Sequence, residues 1–191
     1  MEVLRERILR ESEVLSDQVI TLDSILNQQV DPKLIMMLGE EFAKRYGIER
    51  ITKVVTIESS GISIAFATAY YLGVPLVFAR RKRTLVSDPD AYIERVPSFT
   101  KGIVSDMLIS RSFLSPVDRV LLIDDIIANG DAARGLIRII ERSGATLCGL
   151  GIAVEKSFQA GARTIREQGY RVESLVKIAS LEQGHIKFDL V

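Results

Sequence analysis

The sequence predicts an α/β fold, a parallel sheet flanked by helices on both faces. Three observations carry that expectation. Short apolar runs of strand length alternate with longer segments whose apolar residues recur at helical spacing, and this alternation builds parallel sheets. At 191 residues, 47% apolar and 26% charged, the chain suits one domain with a full core and is too apolar to be disordered. The chemistry-bearing residues gather just after strands: Glu58 to Gly61, Arg80 to Arg83, Asp124 to Ala132, and Glu155-Lys156. Ligands of parallel sheets bind at those carboxyl ends.

Residues 2 to 15 read as an amphipathic helix with Val3, Leu4, Ile8 and Leu15 on one side. Val19 to Gln28 alternates loosely and reads as an irregular strand. Asp31-Pro32 is an N-cap with proline at the first helical position; Leu34 to Phe42 carry the helix and Tyr46-Gly47 closes it. Val54 to Ile57 is a short buried strand ending in Glu58-Ser59-Ser60-Gly61, and Ile62 to Leu72 is a helix stopped by Gly73. That loop is either a phosphate cradle or a serine cap on the helix. Val74 to Ala79 is the next strand and runs into four cations, Arg80-Arg-Lys-Arg83. Such a run is a solvated surface, or, at a strand end, a contact for phosphate oxygens.

Residues 84 to 116 lack a clear helix. Ser87-Asp-Pro-Asp is a turn, and Ser98 to Val104 with Met107 to Ser110 read as two strands of a projecting hairpin. An excursion of this length between core strands marks a lid or binding loop. Leu114-Ser-Pro116 returns the chain to the core. Then Val120 to Ile123 run straight into two carboxylates, Asp124 and Asp125, followed by a turn at Ala128-Asn129-Gly130 and a helix carrying Leu136, Ile137, Ile139 and Ile140. A helix N-terminus reached through a glycine turn offers free N–H donors to an anion, most often phosphate. The two acids can take sugar hydroxyls or a divalent ion, although an Asp there also serves as a plain cap. The helix ends at Ser143-Gly144, Ala145 to Val154 is a strand whose Gly149 and Gly151 allow close packing, Ala160 to Gln168 is a helix, and Val172 to Ile178 is the last strand. No internal repeat or interdomain linker appears.

The bulk numbers narrow the function. With 25 basic and 25 acidic residues the formal charge is zero, so nothing argues for nucleic acid. One cysteine, Cys148, excludes a disulfide framework and fits a reduced, cytoplasmic protein; it lies in an apolar run and reads as packing. One histidine, His185, makes a histidine metal cluster or a Ser-His-Asp triad an unattractive reading. The charged start Met-Glu-Val-Leu-Arg-Glu-Arg is no signal peptide, and no apolar run approaches a membrane span.

The string of apolar run, two acids, two apolar residues and small-residue glycine loop resembles the signature of the type I phosphoribosyltransferases, which use 5-phosphoribosyl-1-pyrophosphate (PRPP). The resemblance spans nearly the whole chain. It is nearest to the bacterial xanthine branch, through Leu15-Ser-Asp-Gln-Val19, Thr56-Ile-Glu-Ser-Ser-Gly-Ile62, Val77-Phe-Ala-Arg80, Ser98-Phe-Thr-Lys101, Glu155-Lys-Ser-Phe-Gln159 and Gly169-Tyr-Arg-Val-Glu-Ser-Leu175. It implies that fold, with residues 1–191 as a single domain, 1–50 contributing a hood over the base and 84–116 a flexible loop or hairpin. It implies transfer of 5-phosphoribose from PRPP to xanthine in purine salvage, with Mg²⁺ bound through PRPP rather than by side chains alone, no nucleic acid or membrane partner, and a homodimer. Carried over, Asp124 and Asp125 hold ribose; Ala128, Asn129, Gly130, Asp131 and Ala132 cradle the 5′-phosphate; Ser60, Gly61 and Arg80 meet pyrophosphate; Ile20, Asn27 and Lys156 contact xanthine. Two departures matter. Asn129-Gly130-Asp131-Ala132 replaces the common Thr-Gly-Gly-Thr, losing a hydroxyl and adding an acid that is expected to point away. Ala128 stands where hypoxanthine-guanine enzymes place an Asp. The competing readings are a PRPP-sensing purine regulator without catalysis and an enzyme for another purine base.

Overall fold

The computed structural model describes residues 1–81, 90–98 and 103–189. Lys82, Arg83, most of the Ser87 turn and the hairpin tip with Lys101 lie outside the described residues. The elements are α1 (Glu2–Glu11), β1 (Val14–Ser16), β2 (Val19–Ile20), α2 (Pro32–Tyr46), β3 (Lys53–Ile57), α3 (Gly61–Leu72), β4 (Leu76–Ala79), β5 (Ala91–Ser98), β6 (Ile103–Ser110), β7 (Arg119–Ile127), α4 (Asp131–Arg142), β8 (Thr146–Lys156), α5 (Gly161–Glu167), β9 (Val172–Ser180) and β10 (Lys187–Phe188).

Six strands form the central sheet in the order β10-β9-β8-β7-β3-β4. Every pair is parallel except the edge pair β9 and β10. Alternate side chains of the strands enter two cores. Val54, Leu121, Ile123 and Ala153 pack with α1, α2 and α3; Val55, Leu122, Leu150 and Ile152 pack with α4 and α5. The near-continuous apolar strands follow from this burial on both faces. Helices α2 and α3 touch so closely that a methyl group on Gly39 would stand 2.4 Å from the Ala67 Cβ and 2.5 Å from its carbonyl carbon. Gly151 likewise yields to Phe42 and Ile123.

The expectation is met for the helix opened by Asp31, whose carboxylate accepts from the Lys33 and Leu34 amides, and for its close at Tyr46-Gly47. It is met for the stop at Gly73, which turns with φ of 67°. Other elements differ; β7, for one, runs through both acids to Ile127. The first helix ends at Glu11 rather than residue 15; Leu15 is exposed on a small antiparallel hairpin of β1 and β2. The stretch after Ile20 is not a strand but a single π-helical turn over Asp23–Asn27, burying Ile25 and Leu26. The excursion is a hairpin, but its first strand is Ala91–Ser98, paired residue for residue with Ile103–Ser110. Its root does not simply project: Val96, Met107 and Ile109 are buried against α4, and Glu94 pairs with Arg138 and Arg142. Finally, β8 runs two residues beyond Val154 and takes in Glu155 and Lys156.

Candidate active site

The chain leaves β3 for α3 and β4 on one side, then returns to add β7 on the other side of β3. Helices α3 and α4 leave on opposite faces, so their N-termini diverge at the carboxyl ends of β3 and β7. A sheet opens a binding crevice at such a switch point. Here it is a cavity of about 160 Å³ lined by Asp124, the turn Ala128 to Ala132, Arg81 and the hairpin residues Val96, Pro97 and Ser105.

Acids that take sugar hydroxyls are expected at the open end of the strand. Asp124 and Asp125 are instead nearly buried, 7% and 4% exposed, and Asp125 does not line the cavity. The two carboxyls nonetheless lie close enough to interact directly. One Asp124 oxygen accepts the Asp125 backbone N–H at 3.1 Å. Burial, reinforced by the neighbouring Asp125 carboxylate, pushes the Asp124 carboxyl well above the usual range. Gly61 closes over this acid: a methyl group there would stand 2.4 Å from the Thr56 hydroxyl and 2.9 Å from an Asp124 oxygen. The glycine thus joins the β3 loop to the acid on β7.

The turn after β7 delivers α4 through Gly130, whose φ of 81° only glycine adopts freely. No side chain caps this helix, so its first N–H groups stay available to an anion. The Asp131 carboxylate turns to Arg134 at 2.9 Å. From behind, the Gly161 amide donates to the Ala128 carbonyl at 3.0 Å, and a Cβ on Gly161 would meet that oxygen at 2.3 Å. Nothing in the spacing of the sequence announced Gly161 or Arg134 as parts of this turn.

At the β3 end, the peptide between Glu58 and Ser59 is cis, and neither Ser59 nor Ser60 caps α3 through its side chain. Glu58 accepts from the Arg81 amide at 2.8 Å and from Arg80 at 3.0 Å. Burial pushes Glu58 upward, but the Arg81 amide and Arg80 guanidinium outweigh it and hold the carboxyl below its ordinary value. Arg80 also stacks on Phe78, 4.7 Å from its ring centre.

The β1–β2 hairpin meets the far end of β8. Lys156 is 8% exposed, and its Nζ donates to the Gln18 carbonyl at 2.8 Å. No carboxylate pairs with it among the described residues, and burial lowers its pKa. Gln159 Nε2 donates to the Gln18 side chain at 2.8 Å, latching the β1–β2 hairpin to the sheet. Ile20 is buried beside this latch, whereas Asn27 is exposed and its amide donates to Asp23 at 3.3 Å. Glu155, the other acid at this end, is committed to a two-pronged pair with Arg166 at 2.6 and 2.8 Å and to the Ser174 hydroxyl. Among the described residues no three His, Cys, Asp or Glu side chains converge into a metal cage, and no helix is long and apolar enough to cross a membrane.

Residues 23–189 match the phosphoribosyl transferase domain. The chain is 51% identical over 188 residues to a xanthine phosphoribosyltransferase of Moorella thermoacetica, covering 98% of this chain and 96% of that one. It is 50% identical to one of Bacillus mycoides, covering 98% and 95%. In fold it is similar to adenine phosphoribosyltransferase from Rhodothermus marinus, with a TM-score of 0.76 at 24% identity over 93% of this chain and 100% of that one. The Saccharomyces cerevisiae adenine enzyme gives 0.73 at 19% identity, over 92% and 99%.

Proposed function

The chain belongs to the phosphoribosyl transferase family, and from that premise we propose that it transfers 5-phosphoribose from PRPP to xanthine in purine salvage. A ring nitrogen of xanthine forms the new bond to C1′ as the bond from C1′ to pyrophosphate breaks, giving xanthosine 5′-monophosphate and pyrophosphate. The observation that carries the reading is the crevice at the sheet's switch point, where a buried acid lies beside an uncapped helix start.

In this reading the N–H groups of Ala128 to Ala132 take the 5′-phosphate, and Asp124 and Asp125 take the ribose. As the sugar becomes cationic, a carboxylate at Asp124 gains most of its stabilisation in the transition state, which is where stabilisation accelerates a reaction. The backbone at Ser60 and Gly61, with Arg80, receives the departing pyrophosphate. Ile20 packs on the base, Asn27 meets its C2 carbonyl and Lys156 its C6 oxygen. A buried ammonium whose partner is one carbonyl favours an electron-rich ligand. Among the described residues no cluster of acids forms a cage for a metal, so Mg²⁺ would be held chiefly by PRPP oxygens and water, as suits this ion; bound with PRPP it would neutralise charge on the leaving group.

We also infer a cytoplasmic homodimer; the exposed Phe66, Tyr70 and Tyr71 leave an aromatic face on α3 that a second copy would cover. One experiment tests these readings together. With PRPP and Mg²⁺, xanthine should give the highest kcat/KM among xanthine, hypoxanthine, guanine and adenine, and light scattering of the same sample should give twice the mass of one chain. A preference for adenine would overturn the substrate; a monomer at assay concentration would overturn the dimer.

A further inference from the structure

The proposal starts from a cation in an unfavourable place. Arg134 sits in the first turn of α4, where the helix dipole disfavours positive charge. Its guanidinium is nevertheless fixed by three elements. Nη2 donates to the Asn129 carbonyl at 2.6 Å and to the Asp131 carboxylate at 2.9 Å; Nη1 reaches the Thr164 hydroxyl on α5 at 3.3 Å. The Thr164 hydroxyl in turn donates to the Gly161 carbonyl at 3.0 Å, and the Gly161 amide to the Ala128 carbonyl at 3.0 Å. The guanidinium lies directly against the turn, with Nη1 3.0 Å from where a Gly130 Cβ would be.

These bonds close a ring from Ala128 through α5 and Arg134 back to Asn129. The ring engages the Ala128 and Asn129 carbonyls, so neither is left to meet a bound anion. It also answers the question raised by Asp131. A carboxylate on the first turn helps the helix but repels a phosphate bound at the same N–H groups. Arg134 draws that carboxylate aside and balances its charge.

We propose that Arg134 is a positioning residue for PRPP: it fixes the turn from behind and cancels Asp131, without touching the substrate. The inference rests on the reading of Ala128 to Ala132 as the 5′-phosphate cradle. A planar fork is needed to reach a carbonyl, a carboxylate and a hydroxyl at once, so lysine replaces it only in part.

The test is a kinetic cycle on the full chain. Arg134→Met should raise KM for PRPP about tenfold, with kcat and KM for xanthine within about threefold. Arg134→Lys should fall between, and its thermal melting should stay near the parent's. Asp131→Asn added to Arg134→Met should recover part of the loss in KM for PRPP, because the repulsion left by the first change is removed while the turn stays unfixed. An unchanged KM in Arg134→Met, or a double variant no better than the single one, overturns the proposal. Gly130→Ala separates the two levels. If it raises KM for PRPP while Arg134→Met does not, the cradle stands and the role of Arg134 fails; if neither moves it, the cradle reading fails as well.

Discussion

Asp124, a buried acid lining the crevice, costs the fold stability. Its carboxyl is buried beside a second acid, and its proton is held more tightly in the folded chain than in the unfolded one. For an acid shifted in that direction, folding stability falls as pH rises from the ordinary carboxylate range through the raised pKa, and stays reduced above it. Asp124→Asn keeps the shape and the acceptor for the Asp125 amide but removes the ionisation. The variant should therefore melt higher than the parent at pH 7, by about 2–4 °C for each ~1 kcal/mol relieved, with the gain shrinking as the pH is lowered toward 4. Its turnover should collapse. Activity within about threefold of the parent, a barrier change of only ~0.6 kcal/mol, would remove Asp124 from the ribose role; a lower melting point at pH 7 would remove the electrostatic account. The sequence made the two acids conspicuous because they end an apolar run. It did not reveal the burial of Asp124, to which Gly61 at the start of α3 contributes by closing over it.

At the scale of elements, local chemistry was legible wherever one residue dictates the backbone. Asp31-Pro32 opened α2 and Gly73 closed α3 as their capping chemistry requires. Legibility failed where long-range contacts choose between near-equal options. Residues 12 to 28 carry apolar residues at mixed spacing, and docking on Lys156 and Gln159 selects a hairpin and a π turn over a longer helix and a strand. Residues 91–98 contain Glu94, Arg95 and Pro97, a poor strand by composition, yet pairing with β6 and burial of Val96 on α4 make them one. The contact of α2 with α3 gives the sharpest stability prediction. A methyl group on Gly39 meets backbone of Ala67 and Thr68, not the end of a flexible side chain. Gly39→Ala should therefore destabilise by about 1–3 kcal/mol despite its better helix propensity, read as a lower denaturant midpoint with unchanged slope. A midpoint equal to or above the parent's would show that the two helices can move apart freely.

At the scale of the whole molecule, the site is assembled from segments distant in sequence. The middle of the chain supplies the crevice, the N-terminal hairpin packs over the far end of the sheet, and the end of β8 supplies the buried Lys156. The crevice was readable at its centre because the acids and the glycine turn end one apolar run; the joint between the N-terminal hairpin and the sheet was not, because Gln18, Gln159 and Lys156 carry no common spacing. That joint is where base choice would be decided. Xanthine carries carbonyls at C2 and C6, hypoxanthine only the one at C6, and adenine an amine at C6. A donor at each position would select xanthine, and in the proposed reading Lys156 Nζ and the Asn27 amide would serve as those donors. The latch requires each to exchange a present partner: Lys156 must share the Gln18 carbonyl, and Asn27 must turn from Asp23. A mismatched base would fail to repay that exchange and would leave a buried ammonium unsatisfied, so discrimination should be large. Lys156→Met should then reduce kcat/KM for xanthine, hypoxanthine and guanine together. Asn27→Leu should reduce it for xanthine while leaving hypoxanthine nearly untouched, narrowing the gap between them by about tenfold or more, as expected when one hydrogen bond to a buried carbonyl is lost. An unchanged ratio of xanthine to hypoxanthine in Asn27→Leu would mean that the hood reads the base through another residue, even if Lys156 behaves as described.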